Sequence, residues 1–553
     1  MTIEKENNLE NIMEEIISGI WNIIQFSLLP IKAHSQTVAI FENFIRSFVC
    51  CSLIAGGFWI YSFSYTKDHI FNGENFLWLF VIGTLIFSIR HLYFLYFNHS
   101  SIQKKITVED LKNKKLTFHK LFSLIKNPKY TPLGISLISK KPVLLDIKSR
   151  VQHTIVSGAT GQGKTTLLKT MLIHSLKHNH PIIIIDPKGE REDILEMKQK
   201  AHFYGREKDF YLFSLSFPEE SISYNPLLNG TAQQIKARLM GGLSFKHDYY
   251  KAQADLFLGG ILSALQFLNK PVSFALLDCY LNNTNEIKFL IEDISSIETN
   301  SNLHSHVHEL LSILEQIQMI SKKDLAGLQA QISSINCLEF REILSGCNNK
   351  SNNTFSFEEC LKNNKIAYFQ MNVNGYGEIS RQIGRMIIQD LKVLSSRVQS
   401  GQKNFSYDFC ACFIDEFGSF VTWDSADFLK MARSARIGIH LFCQGLSDLS
   451  QVNNDFKNQI IGNTTIKILF RQDIGKDVEE WAGVAGTFSS QKKTYQIIRA
   501  EKDEEMTGIG SIRDVKEMKI EFDVFKRLSP GQAVLIDKAC HKEDLFQVWR
   551  PAL

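Results

Sequence analysis

No C-x-x-C pair occurs among the 10 cysteines of this 553-residue chain, and none falls at a metal-ligand spacing. A disulfide scaffold and a cysteine-built zinc module are both disfavoured, and the pattern fits a reducing compartment. Cys410 and Cys412 alternate along one apolar stretch, where packing explains them better than chemistry. An excess of one charge is missing too. Lys+Arg 62 against Asp+Glu 58 leaves +4, a balance that neither demands nor excludes a nucleic-acid partner. No internal repeat is found. At this length one hydrophobic core does not suffice, so at least two or three folded units are expected.

Residues 47–65 contain no charged side chain at all, enough to cross ~30 Å of hydrocarbon as a helix. Residues 76–97 are nearly as apolar, interrupted only by Arg90 and His91. Two such stretches in tandem read as a transmembrane hairpin, with Arg90 snorkelling to the interface or marking the end of the second span. Lys104, Lys105, Lys112, Lys114 and Lys115 follow the second span, and Lys32 and Arg46 precede the first. By the positive-inside rule both termini are cytoplasmic. The apolar run starts too deep, and lacks a small-residue cleavage site, to be a removable signal. Ahead of it, Leu9, Ile12, Met13, Ile16, Ile17, Ile20, Trp21 and Ile24 recur at helical spacing with Glu10, Glu14 and Glu15 between the early ones. This segment either lies on the membrane or packs against a neighbour's copy.

Residues 151–170 organise the remainder. A short β-branched run (Thr154, Ile155, Val156) breaks into Gly158, Ala159, Thr160, Gly161, Gln162, Gly163, Lys164 and Thr165, and a helical pattern starts at Thr166. This is G-x-x-x-x-G-K-T between strand and helix, the phosphate-loop pattern. Its glycines let backbone N–H groups turn toward phosphate oxygens, and the helix adds its positive end. Lys164 reaches the β- and γ-phosphates, and the Thr165 hydroxyl holds Mg²⁺. The chain therefore binds a nucleoside triphosphate.

Two apolar runs end in a carboxylate, as a Walker B strand must. One is 182–185 before Asp186, and the other is 411–414 before Asp415 and Glu416. Only the second supplies two adjacent acids, so Asp415 is assigned to the metal and Glu416 to polarising the attacking water. Asp186 is expected to shape the same cleft from the neighbouring strand. A further strand at 437–442 ends near Gln444; in RecA-like ATPases such a strand lies between the phosphate-loop and Walker B strands, so Gln444 is placed to sense hydrolysis. Between the halves, residues 244–345 read as an inserted all-α domain. The alternating His304, His306 and His308 spread round a helix axis and suit a solvated or packed face rather than a metal. The fold expected is α/β: a RecA-like domain with a mainly parallel sheet, divided as 98–243 and 346–553 around the all-α domain. Residues 1–46 and 47–97 precede it as amphipathic segment and membrane hairpin.

Together the hairpin, HTIVSGATGQGKTT, IIIIDPKGE, SYNPL, FIDEFGSF, ARSARIGIHLFCQGLSDL, NTTIKILFRQD and KRLSPGQAVLI make the chain resemble type IV coupling proteins of the TraD/TraG kind, in the HerA–FtsK branch of RecA-like motors. The resemblance implies a homohexameric inner-membrane ATPase using ATP and Mg²⁺. It further implies partners in the inner-membrane part of a type IV secretion or conjugation apparatus. The cargo implied is a relaxase–single-stranded DNA complex, effector proteins, or both. It also implies an arginine acting on the neighbouring subunit's nucleotide. Arg433 falls at that motif position, with Arg436 as its rival. The loop between the spans is shorter than is usual for the family. No long acidic tail follows the motor, so a tail-based relaxosome contact is not expected. Two other functions stay open: a nucleotide-gated receptor that docks cargo without moving it, and an FtsK-like double-stranded DNA motor, which the inserted helical domain disfavours. The topology is testable with reporters: a fusion near Asn72 reads out on the periplasmic side and one at Lys112 in the cytoplasm. An exposed Lys112 fusion would overturn it.

Overall fold

The computed structural model describes residues 105–111, 118–297, 304–345, 354–422, 425–499 and 504–551. The expected amphipathic segment and membrane hairpin lie outside them. Among the described residues no helix is long and apolar enough to cross a membrane.

Among the described residues thirteen strands follow one another. The first seven are β1 (Tyr130–Ser136), β2 (Pro142–Asp146), β3 (Thr154–Ser157), β4 (Ile182–Asp186), β5 (Phe210–Ser214), β6 (Ile366–Gln370) and β7 (Cys410–Ile414). Then come β8 (Ile437–Cys443), β9 (Ile466–Leu469), β10 (Thr487–Arg499), β11 (Glu504–Met518), β12 (Gln532–Asp537) and β13 (Lys542–Val548). All but β10 and β11 join one sheet in the order β2-β1-β13-β12-β9-β3-β8-β7-β4-β6-β5.

From β9 to β5 every pairing is parallel. Strands β4, β6, β7 and β8 are buried at every position, because helices cover both faces of a parallel sheet. That is why IIIID, IAYFQ, CACFI and IGIHLFC are continuous apolar runs instead of alternating ones. The mostly parallel sheet matches the expectation, and β8 does lie between β3 and β7.

The other end of the sheet is an antiparallel wing of β2, β1, β13 and β12. It was not identified from the sequence; β1 contains Pro132 and Gly134, which interrupt a strand pattern. In the fold they flank a register shift, and a Cβ on Gly134 would come within 2.0 Å of the Gln547 carbonyl oxygen. Equally unforeseen, β10 and β11 form a long hairpin that pairs with no other described strand.

Between β5 and β6 every described element from Asp248 to Leu344 is a helix, and His306 and His308 are exposed. The SYNPL segment ties this helical stretch to the sheet. Tyr224 N–H donates to the Ile343 carbonyl (2.7 Å), and Phe355 N–H donates to that of Ser223 (2.8 Å). The Asn225 amide donates to the Val272 carbonyl (2.9 Å). Outgoing and returning chains are thus knotted at three consecutive residues. Tyr224 also donates its hydroxyl to Asp390 (2.9 Å), on the helix Glu378–Gln399, and buried Arg238 pairs with the same carboxylate.

At the amino ends of the parallel strands Arg150 is fully buried, and no carboxylate lies among its hydrogen-bond partners. Its Nε and Nη2 lie 3.3 and 3.1 Å from His440 Nε2, Nη1 donates to Thr131 Oγ1 (3.1 Å), and the guanidinium stacks 4.7 Å over Phe409. Burial draws its pKa down to about 9. Accepting from Arg150 keeps His440 Nε2 unprotonated. Burial, and then Arg150, push His440 far below its usual value and His174 down to about 3.

A histidine that refuses a proton when folded loses stability as pH falls below its unfolded value of ~6.5, since only the unfolded chain takes the proton up. His174→Gln removes one such group. The stability of the variant relative to wild type should improve by about 1.4 kcal/mol per pH unit between pH 6.5 and 5. Denaturant titrations at several pH values read this out, and a pH-independent difference would mean His174 is not neutral in the fold.

Candidate nucleotide site

β3 runs out at Ser157, and six residues lead into the helix Lys164–Lys177. Gly163 makes the turn at φ +110°, where an L side chain is strained, with the Gly531 backbone 3.3 Å from the position of a Cβ. Gly158 is required for another reason: a Cβ there would meet Cβ of Phe470 at 2.5 Å. The loop is clamped from behind. Ala159 N–H donates to the Arg471 carbonyl (3.0 Å) and Gly531 N–H to that of Gln162 (2.8 Å). Thr160 and Gly161 are exposed on its open side, and Gln162 is buried.

Lys164 is turned onto its own loop, with Nζ 2.5 Å from the Gly158 carbonyl and 3.1 Å from that of Ala159. Burial lowers its pKa, against the pull of Asp415 and Glu416. Thr165 opens from the first turn of the helix, beside Thr166, into a cleft lined also by Asp186, Lys188, Tyr368 and Asp415.

Asp415 follows β7 and is only 7% exposed. Lys188 Nζ lies 2.9 Å from its Oδ2, and Glu416 N–H donates to Oδ1 at 3.0 Å. Burial works against the Lys188 charge, but Asp415 outweighs it and raises the ammonium above the ordinary lysine value. Glu416 itself sits at φ +40°, ψ +53°, a left-handed conformation that costs a non-glycine residue on the order of 1 kcal/mol. On the neighbouring strand, Asp186 accepts from Tyr368 Oη (2.6 Å) and Lys188 N–H (2.9 Å). Burial lifts its pKa to about 7 despite those two donors. An aspartate titrating there is a poor permanent counter-charge, which favours Asp415 as the metal carboxylate. Hard cations such as Mg²⁺ take oxygen ligands, and the Thr165 hydroxyl and Asp415 carboxylate facing one cleft fit that donor set.

Gln444 directly follows β8, level with the start of the phosphate loop: Gly158 N–H donates to the Cys443 carbonyl (3.3 Å). Asp448 fixes its backbone through Gln444 N–H (2.8 Å), and the side chain is exposed. Arg433 and Arg436 lie at the opposite end of β8, both exposed. β8 is 7 residues long. At a strand rise of about 3.3 Å per residue, the two ends stand on the order of 20 Å apart. Neither arginine reaches the phosphate loop of its own chain. Sequence reasoning brought Lys164, Thr165, Asp415, Glu416 and Gln444 to one edge, and missed Lys188 as the partner of Asp415 and Tyr368 as that of Asp186. The lysine was visible in DPKGE, but its contact with Asp415 spans 227 positions and no periodicity marks it.

Two family profiles match the chain: "Helicase HerA, central domain" over residues 133–343 and "TraM recognition site of TraD and TraG" over 410–523. The type 4 coupling protein DotL of Legionella pneumophila is 27% identical over 131 residues, 21% of this chain and 17% of DotL. The DNA translocase SftA of Bacillus subtilis is 37% identical over 71 residues, 12% of this chain and 7% of SftA. The chain thus matches less than a fifth of the length of either relative. In fold it is similar to the bacterial conjugative coupling protein TrwB lacking its first 70 residues (TM-score 0.54, 15% identity, 79% of this chain and 92% of that one). The complex of TrwB with ADP and Mg²⁺ gives 0.52 at the same identity, covering 79% and 93%.

The strain at Glu416 separates fold from chemistry. Glu416→Gly should raise stability by about 1 kcal/mol, because glycine adopts the left-handed region freely. Glu416→Gln should leave stability unchanged, and both variants should lose nucleotide turnover. Denaturant midpoints and phosphate release measure the two effects; a less stable Glu416→Gly would mean the conformation is not strained.

Proposed function

The chain belongs to the type IV coupling protein family, and from that premise we propose that it is an inner-membrane ATPase. In this reading it forms a homohexamer, anchored by the hairpin at 47–97 with the motor in the cytoplasm, and passes cargo to a type IV secretion or conjugation channel. The observation that carries the reading is the convergence of the phosphate loop, Asp415–Glu416 and Gln444 on one edge of a TrwB-like sheet. The motor is divided as 98–243 and 346–553 around the all-α domain at 244–345.

The chemistry follows from the placement. Gly158 to Thr166 receive the phosphates, with Lys164 leaving its loop carbonyls for β- and γ-phosphate oxygens. Thr165 and Asp415 hold Mg²⁺, which when bound neutralises charge developing on the transferred phosphoryl group. Glu416 orients and polarises the attacking water, and Gln444 reads the γ-phosphate from the strand between. Arg433, too far from its own loop, serves the neighbouring subunit's nucleotide. Relaxase-bound single-stranded DNA, effector proteins, or both are the cargo proposed. The short match to SftA favours, as a second reading, an FtsK-like motor on double-stranded DNA.

ATP hydrolysis by the detergent-purified chain, with and without single-stranded DNA, separates a pump from a docking receptor. Stimulation supports the pump, and indifference to every nucleic acid and cargo protein supports the receptor. Assembly is tested by mixing. Arg433→Ala should bind nucleotide yet lose about 10³ or more in rate, as expected for an arginine finger. Co-expressed with Lys164→Ala and isolated as mixed rings by two tags, it should regain activity by borrowing its neighbour's arginine. Inactive mixed rings, together with an Arg436→Ala variant that assembles but is inactive, would transfer the role to Arg436.

A further inference from the structure

We propose that Lys188 is a positioning residue that holds Asp415 while the site is free of nucleotide and surrenders it to Mg²⁺, so that metal binding depends on phosphate arriving with it. This inference rests on the nucleotide-site reading above and goes beyond it, since that reading gives Lys188 no task.

Three observations carry it. First, Asp415 is buried, and both its oxygens are engaged by the chain itself: Oδ2 by Lys188 Nζ at 2.9 Å, Oδ1 by Glu416 N–H at 3.0 Å. A buried carboxylate is costly unless a cation faces it, and Lys188 is that cation. Lys169, the other lysine lining the cleft, is committed to Glu196 (2.5 Å) and Asp193 (3.7 Å). Second, Lys188, Asp415 and Thr165 line the same cleft, so ammonium and metal would share one carboxylate and repel each other.

Third, the backbone under Lys188 cannot retreat. Its N–H donates to Asp186 Oδ1 (2.9 Å), and Asp186 is held in turn by Tyr368 (2.6 Å). Val373 N–H donates to the Pro187 carbonyl (2.7 Å), and the Gln370 amide donates to that of Glu190 (2.8 Å). Gly189 is pressed on Asn372, whose Cγ lies 2.6 Å from where a Cβ would be. What remains free to move is the four-carbon stem of the lysine. It can swing from Asp415 toward an anion. A bound phosphate provides one; Mg²⁺ alone does not. Lys188 therefore makes Asp415 a weak metal site in the empty protein and a good one once phosphate compensates the displaced ammonium.

The test uses the full chain in detergent, with MANT-ADP and MgCl₂ as probes. ADP lacks the γ-phosphate, so a contact made only to that group does not enter. Lys188→Gln keeps a hydrogen-bond donor beside Asp415 but removes the competing charge. The Mg²⁺ concentration giving half-maximal MANT-ADP binding should fall about five-fold, the upper range for a partly exposed ion pair. Lys188→Arg should stay near wild type. In an Asp415→Asn background, Lys188→Gln should change nothing. Lys188→Met, of similar length, replaces the glutamine variant if that one does not fold. An unchanged or higher Mg²⁺ requirement overturns the proposal. So does weaker MANT-ADP binding in EDTA, where no metal displaces the lysine: Lys188 would then hold phosphate before any metal arrives, instead of holding Asp415. Failure of the wild-type chain to bind MANT-ADP at all would refute the nucleotide-site reading itself, and this proposal with it.

Discussion

Parallel pairing of β3, β8, β7 and β4 forces their carboxyl ends side by side, and the chemistry of this chain depends on that constraint. Each strand is buried at every position and, apart from groups such as Thr154 and His440, apolar, so charged residues appear only where it leaves the sheet. Four neighbouring strands leaving at one edge deliver a phosphate loop, Gln444, Asp415 with Glu416, and Asp186 with Lys188. These groups are remote in sequence and adjacent only through the sheet. The ligand-binding edge of an open α/β sheet arises in this way without any residue being selected for proximity alone.

The same logic explains what was legible in the sequence. A strand buried on both faces is a continuous apolar run, and its terminal carboxylate or glutamine announces the edge. Hence IIIID, FIDE and the run before Gln444 could be read directly. In the antiparallel wing β12 is such a run, but β1 is not. β1 is interrupted by Pro132 and Gly134, and the close approach of β13 requires the glycine. The hairpin of β10 and β11 pairs only with itself among the described strands, so burial imposes no long apolar run on it. Glycine was legible as a residue type but not always for the right reason. Gly158 looks like a phosphate-cradling glycine, yet what excludes a side chain there is Phe470 pressing from β9. Contacts such as Lys188 with Asp415 are invisible to spacing rules, because two loops must first be brought together by the sheet.

Charge is distributed unequally between the two edges. At the carboxyl edge, acids and lysines alternate in space: Asp415 with Lys188, and Asp193 and Glu196 with Lys169. Asp415, Asp193 and Glu196 each have a lysine within reach, so adding a divalent cation and phosphates rearranges those pairs. At the amino edge, Arg150 is buried among histidine, hydroxyl and aromatic groups, and buried Lys467 donates to the Thr464 carbonyl. Those cations are satisfied by neutral partners, an arrangement that excludes anions from the interior and leaves nothing to exchange.

The amino edge also carries the two arginines that precede β8. Arg433 and Arg436 stand at the amino edge on the helix and turn that precede β8, exposed and on the order of 20 Å from the loop of their own subunit. An arginine that stabilises a phosphoryl group must come within hydrogen-bond distance of it, and no side-chain rotation covers that gap. Moving the arginine would require unthreading β8 from between β3 and β7, which would destroy the loop it is meant to serve. If either arginine takes part in hydrolysis, it therefore does so across a subunit boundary. The clamp behind the phosphate loop adds to this. Phe470, Arg471 and Gly531 fix the loop against the ends of β9 and β12, so the loop's position is set by its own chain.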